Sequence, residues 1–140
     1  MNTVRELKLV GSKISGFTGV GLSFTPSLLL NLPSLTITNS TIYGTYQGSL
    51  VVRPSGNTPP TVAANIVLAE GSTFIAGPVT FDTSNIAGNI DAVLDNCIVQ
   101  NMPLGGAVVA NSPAGAKVNV HFVRSTMLFT GMGFFANGGG

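Results

Sequence analysis

One short bend recurs five times along this chain, and it limits the possible folds more than any other feature. The segment Leu35-Thr36-Ile37-Thr38-Asn39-Ser40-Thr41-Ile42 shows it most clearly, as two brief alternating runs that meet at Asn39. Aligned on that bend, the chain gives LKLVGSKI, LTITNSTI, VLAEGSTF, AVLDNCIV and VHFVRSTM, beginning at Leu7, Leu35, Val67, Ala92 and Val120. The bend residues are Gly11, Asn39, Gly71, Asn96 and Arg124, at intervals of 28, 32, 25 and 28 residues. A period in that range marks a solenoid or array, in which each repeat buries its apolar side against its neighbours.

The aligned columns carry the physics. Four residues before the bend stand Leu7, Leu35, Val67, Ala92 and Val120, and two before it Leu9, Ile37, Ala69, Leu94 and Phe122, all apolar. Directly after it comes a column of small residues, Ser12, Ser40, Ser72, Cys97 and Ser125. Three after it come Ile14, Ile42, Phe74, Val99 and Met127. Inward residues two apart on each side give the period of a strand with one buried face. To reverse that phase within one residue, the backbone must enter the left-handed region, which Gly and Asn tolerate best. Arg124 departs from the pattern and is expected to be strained or differently turned.

A third strand follows in each repeat. Its inward pairs read Leu22 and Phe24, Leu50 and Val52, Val79 and Phe81, and Ala107 and Val109, and the last repeat ends with Met132, Phe134 and Phe135. The run Leu28–Leu32 is expected to pack over the core, and the turn-rich exit Arg53–Pro60 accounts for the longest interval. The predicted fold is all-β: a single-stranded right-handed parallel β-helix of about five coils with three short strands per coil. Residues 1–6 form a lead-in, 7–137 the domain, and 138–140 a flexible glycine tail.

Composition supports many short strands with tight turns. Charged residues are 8% of the chain, well below the usual quarter, while Gly and Pro number 18 and 8. The net charge of +1 offers no electrostatic basis for a nucleic-acid partner or an anionic membrane. No apolar run approaches a membrane span, and MNTVRELKLV lacks a signal-peptide pattern, so a soluble chain made in a cytoplasm is expected. The single cysteine, Cys97, cannot form an internal disulfide and stands where the other repeats carry Ser; it reads as a buried small residue.

The three-strand coil with Asn or Gly at a tight bend resembles the right-handed parallel β-helix of pectate lyases and phage tailspikes, in which asparagines stack at that turn. The likeness is one of architecture and spans about Leu7 to Phe135. Enzymes of that group place several carboxylates, with Arg or Lys, on one outer strand face. Here the column one before the bend reads Val10, Thr38, Glu70, Asp95 and Val123, which makes Glu70 and Asp95 neighbours about 5 Å apart. They are the one catalytic-looking constellation, able to split their pKa values or share a divalent cation. The bland alternative, two solvated acids, is favoured because no Arg or Lys stands in that column and no long loop roofs it. His121 reads as a surface or interface residue. No cofactor, metal-ligand spacing, phosphate loop or nucleophile motif is expected.

Other outward columns turn apolar toward the C-terminus: Lys8, Thr36, Leu68, Val93, His121; Lys13, Thr41, Thr73, Ile98, Thr126; and Ser15, Tyr43, Ile75, Gln100, Leu128. With Val51 and Val108 also outward, this is more exposed apolar surface than a monomer normally keeps. A subunit interface is expected at Leu68, Val93, Ile75, Ile98, Leu128, Val108 and Phe135, and the lower end of the last coil should be buried against another chain. The resemblance implies a structural, non-enzymatic role: a phage capsid decoration or cement protein, or a tailspike segment. Such a protein would be a homotrimer located in the virion, with other virion proteins such as the major capsid protein as partners. The alternative is a carbohydrate-binding or polysaccharide-cleaving module using Glu70 and Asp95, with Tyr43 and Tyr46 as a stacking surface.

Overall fold

The structure, a computed structural model, describes residues 6–15, 19–25, 34–45, 47–53, 65–83, 89–100, 106–112, 117–128 and 132–138. Strands follow one another in threes. The first repeat supplies β1 (Glu6–Val10), β2 (Lys13–Ile14) and β3 (Leu22–Phe24); the second β4 (Ser34–Thr38), β5 (Thr41–Tyr43) and β6 (Leu50–Val52). The third supplies β7 (Asn65–Glu70), β8 (Thr73–Ile75) and β9 (Val79–Asp82), and the fourth β10 (Ile90–Asp95), β11 (Ile98–Gln100) and β12 (Gly106–Ser112). The fifth adds β13 (Val118–Val123), β14 (Thr126–Leu128) and β15 (Met132–Gly138). Thus β1 takes in Glu6 and β15 reaches Gly138, one residue beyond each boundary read in the sequence.

Every third strand pairs. The strands form three five-stranded sheets, ordered β1-β4-β7-β10-β13, β2-β5-β8-β11-β14 and β3-β6-β9-β12-β15. All pairings between these strands are parallel, and no described residue is helical. The register follows the sequence columns: Leu7 pairs with Leu35, Leu35 with Val67, and Ala92 with both Val67 and Val120.

The bends behave alike at all five positions. Gly11, Asn39, Gly71, Asn96 and Arg124 have φ of 57°, 48°, 58°, 50° and 49°. Arg124 is therefore turned like the rest, although a Cβ in this region costs about 1 to 2 kcal/mol. Backbone amides tie each bend to the next: Gly11 N–H donates to Thr38 O (3.0 Å), Asn39 to Glu70 O (2.9 Å), Gly71 to Asp95 O (3.0 Å) and Asn96 to Val123 O (2.9 Å).

The small-residue column adds a second ladder. The amides of Ser12, Ser40 and Cys97 donate to Ser40 Oγ, Ser72 Oγ and Ser125 Oγ at 3.1, 3.1 and 3.0 Å. Each hydroxyl in turn donates to the carbonyl two residues earlier, as Ser40 does to Thr38 O at 2.9 Å and Ser72 to Glu70 O at 3.0 Å. Cys97 keeps that second contact through Sγ to Asp95 O at 3.3 Å. Burial raises its thiol pKa, an effect partly offset by the Ser72 amide. It is a free, buried member of the ladder.

Inside the three sheets the middle repeats close completely. Leu35, Ile37, Ile42, Val67, Phe74, Val79, Phe81, Ala92 and Val99 have no exposed surface. Burying a side chain of that size contributes roughly 1.5 to 3 kcal/mol. In the third repeat the small Ala69 occupies a column filled elsewhere by Leu, Ile or Phe, while Phe74 is the largest residue of its own column; both belong to the one core cluster. Such pairing holds the inward volume level. At the ends, Leu7, Leu9, Ile14, Val120, Phe122 and Met127 are only half-buried.

Two expectations for the third sheet are corrected. In β12 Ala110 is buried and pairs with the buried Phe81, and along the backbone Val108 pairs with Val79, so the pairing register lies one residue on from the expected Ala107 and Val109. The run Gly106-Ala107-Val108-Val109-Ala110 contains no polar residue to mark its phase. Val51, expected outside and exposed, is 7% exposed. Its Cγ2 lies 2.9 Å from where a Cβ on Gly48 would stand, so the turn bridged by Thr45 and Gly48 lies against it. The run Leu28–Leu32 and the exit 54–60 fall outside the described residues.

The bend geometry distinguishes two glycines. A Cβ on Gly71 would stand 2.6 Å from Asn39 Oδ1, whereas one on Gly11 meets nothing within 4 Å. Gly11→Ala should therefore lose only the φ term, about 1 to 2 kcal/mol, and Gly71→Ala should lose that plus the displacement of the Asn39 amide. Urea denaturation reads the difference, with Gly71→Ala expected to have the lower midpoint; the reverse order would contradict the packing.

Candidate functional site

The outward column one before the bend is the place to look for chemistry. Asp95 in β10 pairs directly with Glu70 in β7, and neighbouring strands of a sheet lie about 4.8 Å apart. The predicted carboxylate pair is thus brought together. What the sequence columns did not reveal is its cation. Arg124 reaches back from the fifth bend and grips Asp95 with two bonds, Nε to Oδ1 at 2.9 Å and Nη2 to Oδ2 at 2.6 Å. It stands one position beyond the carboxylate column, so a search within that column misses it; the signal was a basic residue in a bend otherwise reserved for Gly and Asn.

This grip decides what Asp95 can do. The Arg124 side-chain hydrogen bonds and charge hold its carboxyl below the usual carboxylate range against a smaller opposing effect of desolvation, while Asp95 raises the Arg124 pKa. A general acid needs the opposite shift. Each Asp95 oxygen accepts one of these bonds, so a cation between Glu70 and Asp95 would compete with Arg124 for the same carboxylate charge. Among the described residues no three His, Cys, Asp or Glu side chains gather as a metal site. His121 is exposed in β13, aligned with Val93.

A second ion pair lies at the exit of the third sheet, where Arg53 Nε donates to Asp82 Oδ2 at 2.9 Å. Asp82 is 4% exposed. Beside it Thr83, fully buried, donates both its amide and its hydroxyl to Asn111 O, at 2.9 and 3.1 Å. These bonds hold one corner of the third and fourth repeats together.

The outer faces are mostly uncharged. Leu68 is 45% exposed and aligns with half-buried Val93; Ile98 and Leu128 are 41% and 50% exposed on the second sheet, where Ile75 is half-buried. Through Ser15, Tyr43 and Gln100 that second-sheet face carries one charge, Lys13, whose ammonium lies 5.5 Å from the centre of the Tyr43 ring. The side chains of Val108 and Phe135, and Tyr46 as a whole, lie outside the described residues. Two exposed apolar residues were not among those expected at an interface: Val10 at 67% and Val123 at 41% occupy the first and last places of the carboxylate column.

Comparison with protein-family models, curated proteins and solved structures finds no match to this chain.

The Asp95–Arg124 pair carries a pH dependence of defined sign. Because the folded carboxyl titrates below the unfolded one, its contribution is full above about pH 4, the ordinary Asp value, and is lost as the pH falls through the lower folded value. Carboxyl-carbon NMR should place the Asp95 titration below that of an unpaired aspartate and move it upward in Arg124→Ala. An Asp95 midpoint unchanged by Arg124→Ala would show the pair to be idle in solution.

Proposed function

We propose that the chain is a right-handed parallel β-helix of about five coils that serves as a structural protein of a phage particle, as a capsid decoration or cement protein or a tailspike-type segment. It works as a homotrimer beside other virion proteins such as the major capsid protein. Its location is the virion, assembled from host cytoplasm, and it acts by rigid packing without chemistry.

One observation carries this reading. On the described outer faces the acid Asp95, beside Glu70, is held by two hydrogen bonds from Arg124, while Leu68, Ile98 and Leu128 are presented to solvent. A second-sheet face that carries one charge, Lys13, and exposed Ile98 and Leu128, built on continuous parallel ladders, suits association. Every third strand pairing with the next also ties distant parts of the chain together, which suits a particle surface exposed to proteases.

Sedimentation equilibrium tests it directly. The native chain should assemble in multiples of three, the double variant Ile98→Lys, Leu128→Lys should lose threefold assembly while keeping its circular dichroism, and Glu70→Ala should change nothing. A protein that never forms trimers and binds or cleaves an acidic polysaccharide, with loss of that activity in Glu70→Ala, would favour a carbohydrate-active module instead.

A further inference from the structure

The two ends of the stack are open in complementary ways. At every internal step the bend amide donates to the carbonyl before the next bend and the amide two after the next bend donates back, while the amide following the bend donates to the next Ser hydroxyl, or at the third step to the Cys97 thiol. The fifth repeat has no successor among the described residues. Arg124 N–H, Ser125 N–H and Ser125 O are therefore left without the partners their counterparts have. The first repeat has no predecessor among the described residues, and there it lacks the matching groups: an amide donor to Val10 O, an amide donor to Ser12 Oγ, and an acceptor for Lys13 N–H. Three donors and acceptors missing at one end are those offered by the other.

The side chains agree with the backbone. Continuing the columns past Arg124 would set Leu7 over Val120, Leu9 over Phe122 and Ile14 over Met127, the inward residues left half-buried. Outside, it would join Val10 to Val123, the two exposed valines of one column. The space beside Gly11 is open, with nothing within 4 Å of an added Cβ, so a bend residue can stack on it. Nor do the charges at the two edges oppose contact: Lys8 is paired with Glu6 at 3.0 Å, and Arg124 with Asp95 at 2.6 Å.

We infer that the open end of the fifth repeat binds the first repeat of a second copy of this chain, head to tail, continuing all three parallel sheets and the bend ladder across the junction. Such a contact is heterologous and does not close, so it builds rods of variable length. It uses the strand edges, whereas the proposed trimer uses the lateral faces, and each contact can exist without the other.

Small-angle scattering over a concentration series reads the length alone. Five repeats at about 4.8 Å make each added copy lengthen the particle by about 24 Å, and lateral trimers leave that length unchanged. The native chain should lengthen as concentration rises. Val10→Lys and Val123→Lys, each placing a charge on an exposed outward position at one end, should stay at the shortest length with native circular dichroism. Mixed in equal amounts, they should reach two protomers' length and stop, because each retains the end that the other lacks. A native chain of constant length, single variants that lengthen as it does, or a mixture no longer than either variant would overturn the inference.

Discussion

The left-handed bend is the constraint on which the rest of the structure depends. A strand can keep one face inward only while its alternation is unbroken, and a corner between two sheets breaks it. A single residue at φ near 50° turns the corner and restores the phase on the far side, so Leu9 and Ile14, or Ile37 and Ile42, both face the core. Such a corner exposes amides and carbonyls that no strand pairing reaches. Here they are met by the next bend and by a side-chain hydroxyl: Ser40, Ser72 and Ser125 accept the amide N–H of Ser12, Ser40 and Cys97 in turn, and each donates to the carbonyl two residues earlier. A buried amide left unpaired costs about 1 to 3 kcal/mol, so a column of five corners without that ladder would be a heavy burden for a 140-residue chain.

Much of this was legible because bend and columns are local in sequence. Period-two alternation on either side of Gly or Asn gave the inward residues of the first two sheets in every repeat. The serine column was visible as a row of small residues, but its bonding was not, since the acceptor of the Ser12 amide lies 28 residues away. The third sheet was harder. Where polar residues alternate, as in Val79-Thr80-Phe81, the phase was plain; in Ala107-Val108-Val109-Ala110 nothing polar marks it, and the register came out one residue away. Val51 alternates correctly yet is covered by a turn that its own strand does not reveal.

The candidate site shows the same limit in electrostatic form. Register alone placed Glu70 beside Asp95. What sets the chemistry of that pair is Arg124, a residue whose local signal was only that it fits its bend poorly. An arginine in a strained bend is accounted for by what its side chain does there: it reaches the carboxylate one repeat back and links the fourth and fifth repeats from outside. The stack is closed in its middle repeats, and the inward residues of its first and fifth repeats are half-buried.

Amide hydrogen exchange at the bends measures the central claim most directly. If the bend and serine ladders hold the repeats together, the amides of Asn39, Ser40, Gly71 and Cys97 should exchange as slowly as those of the central strands β4, β7 and β10, opening only with global unfolding. Bend amides that exchange at the rate of open loops while those strands stay protected would contradict it.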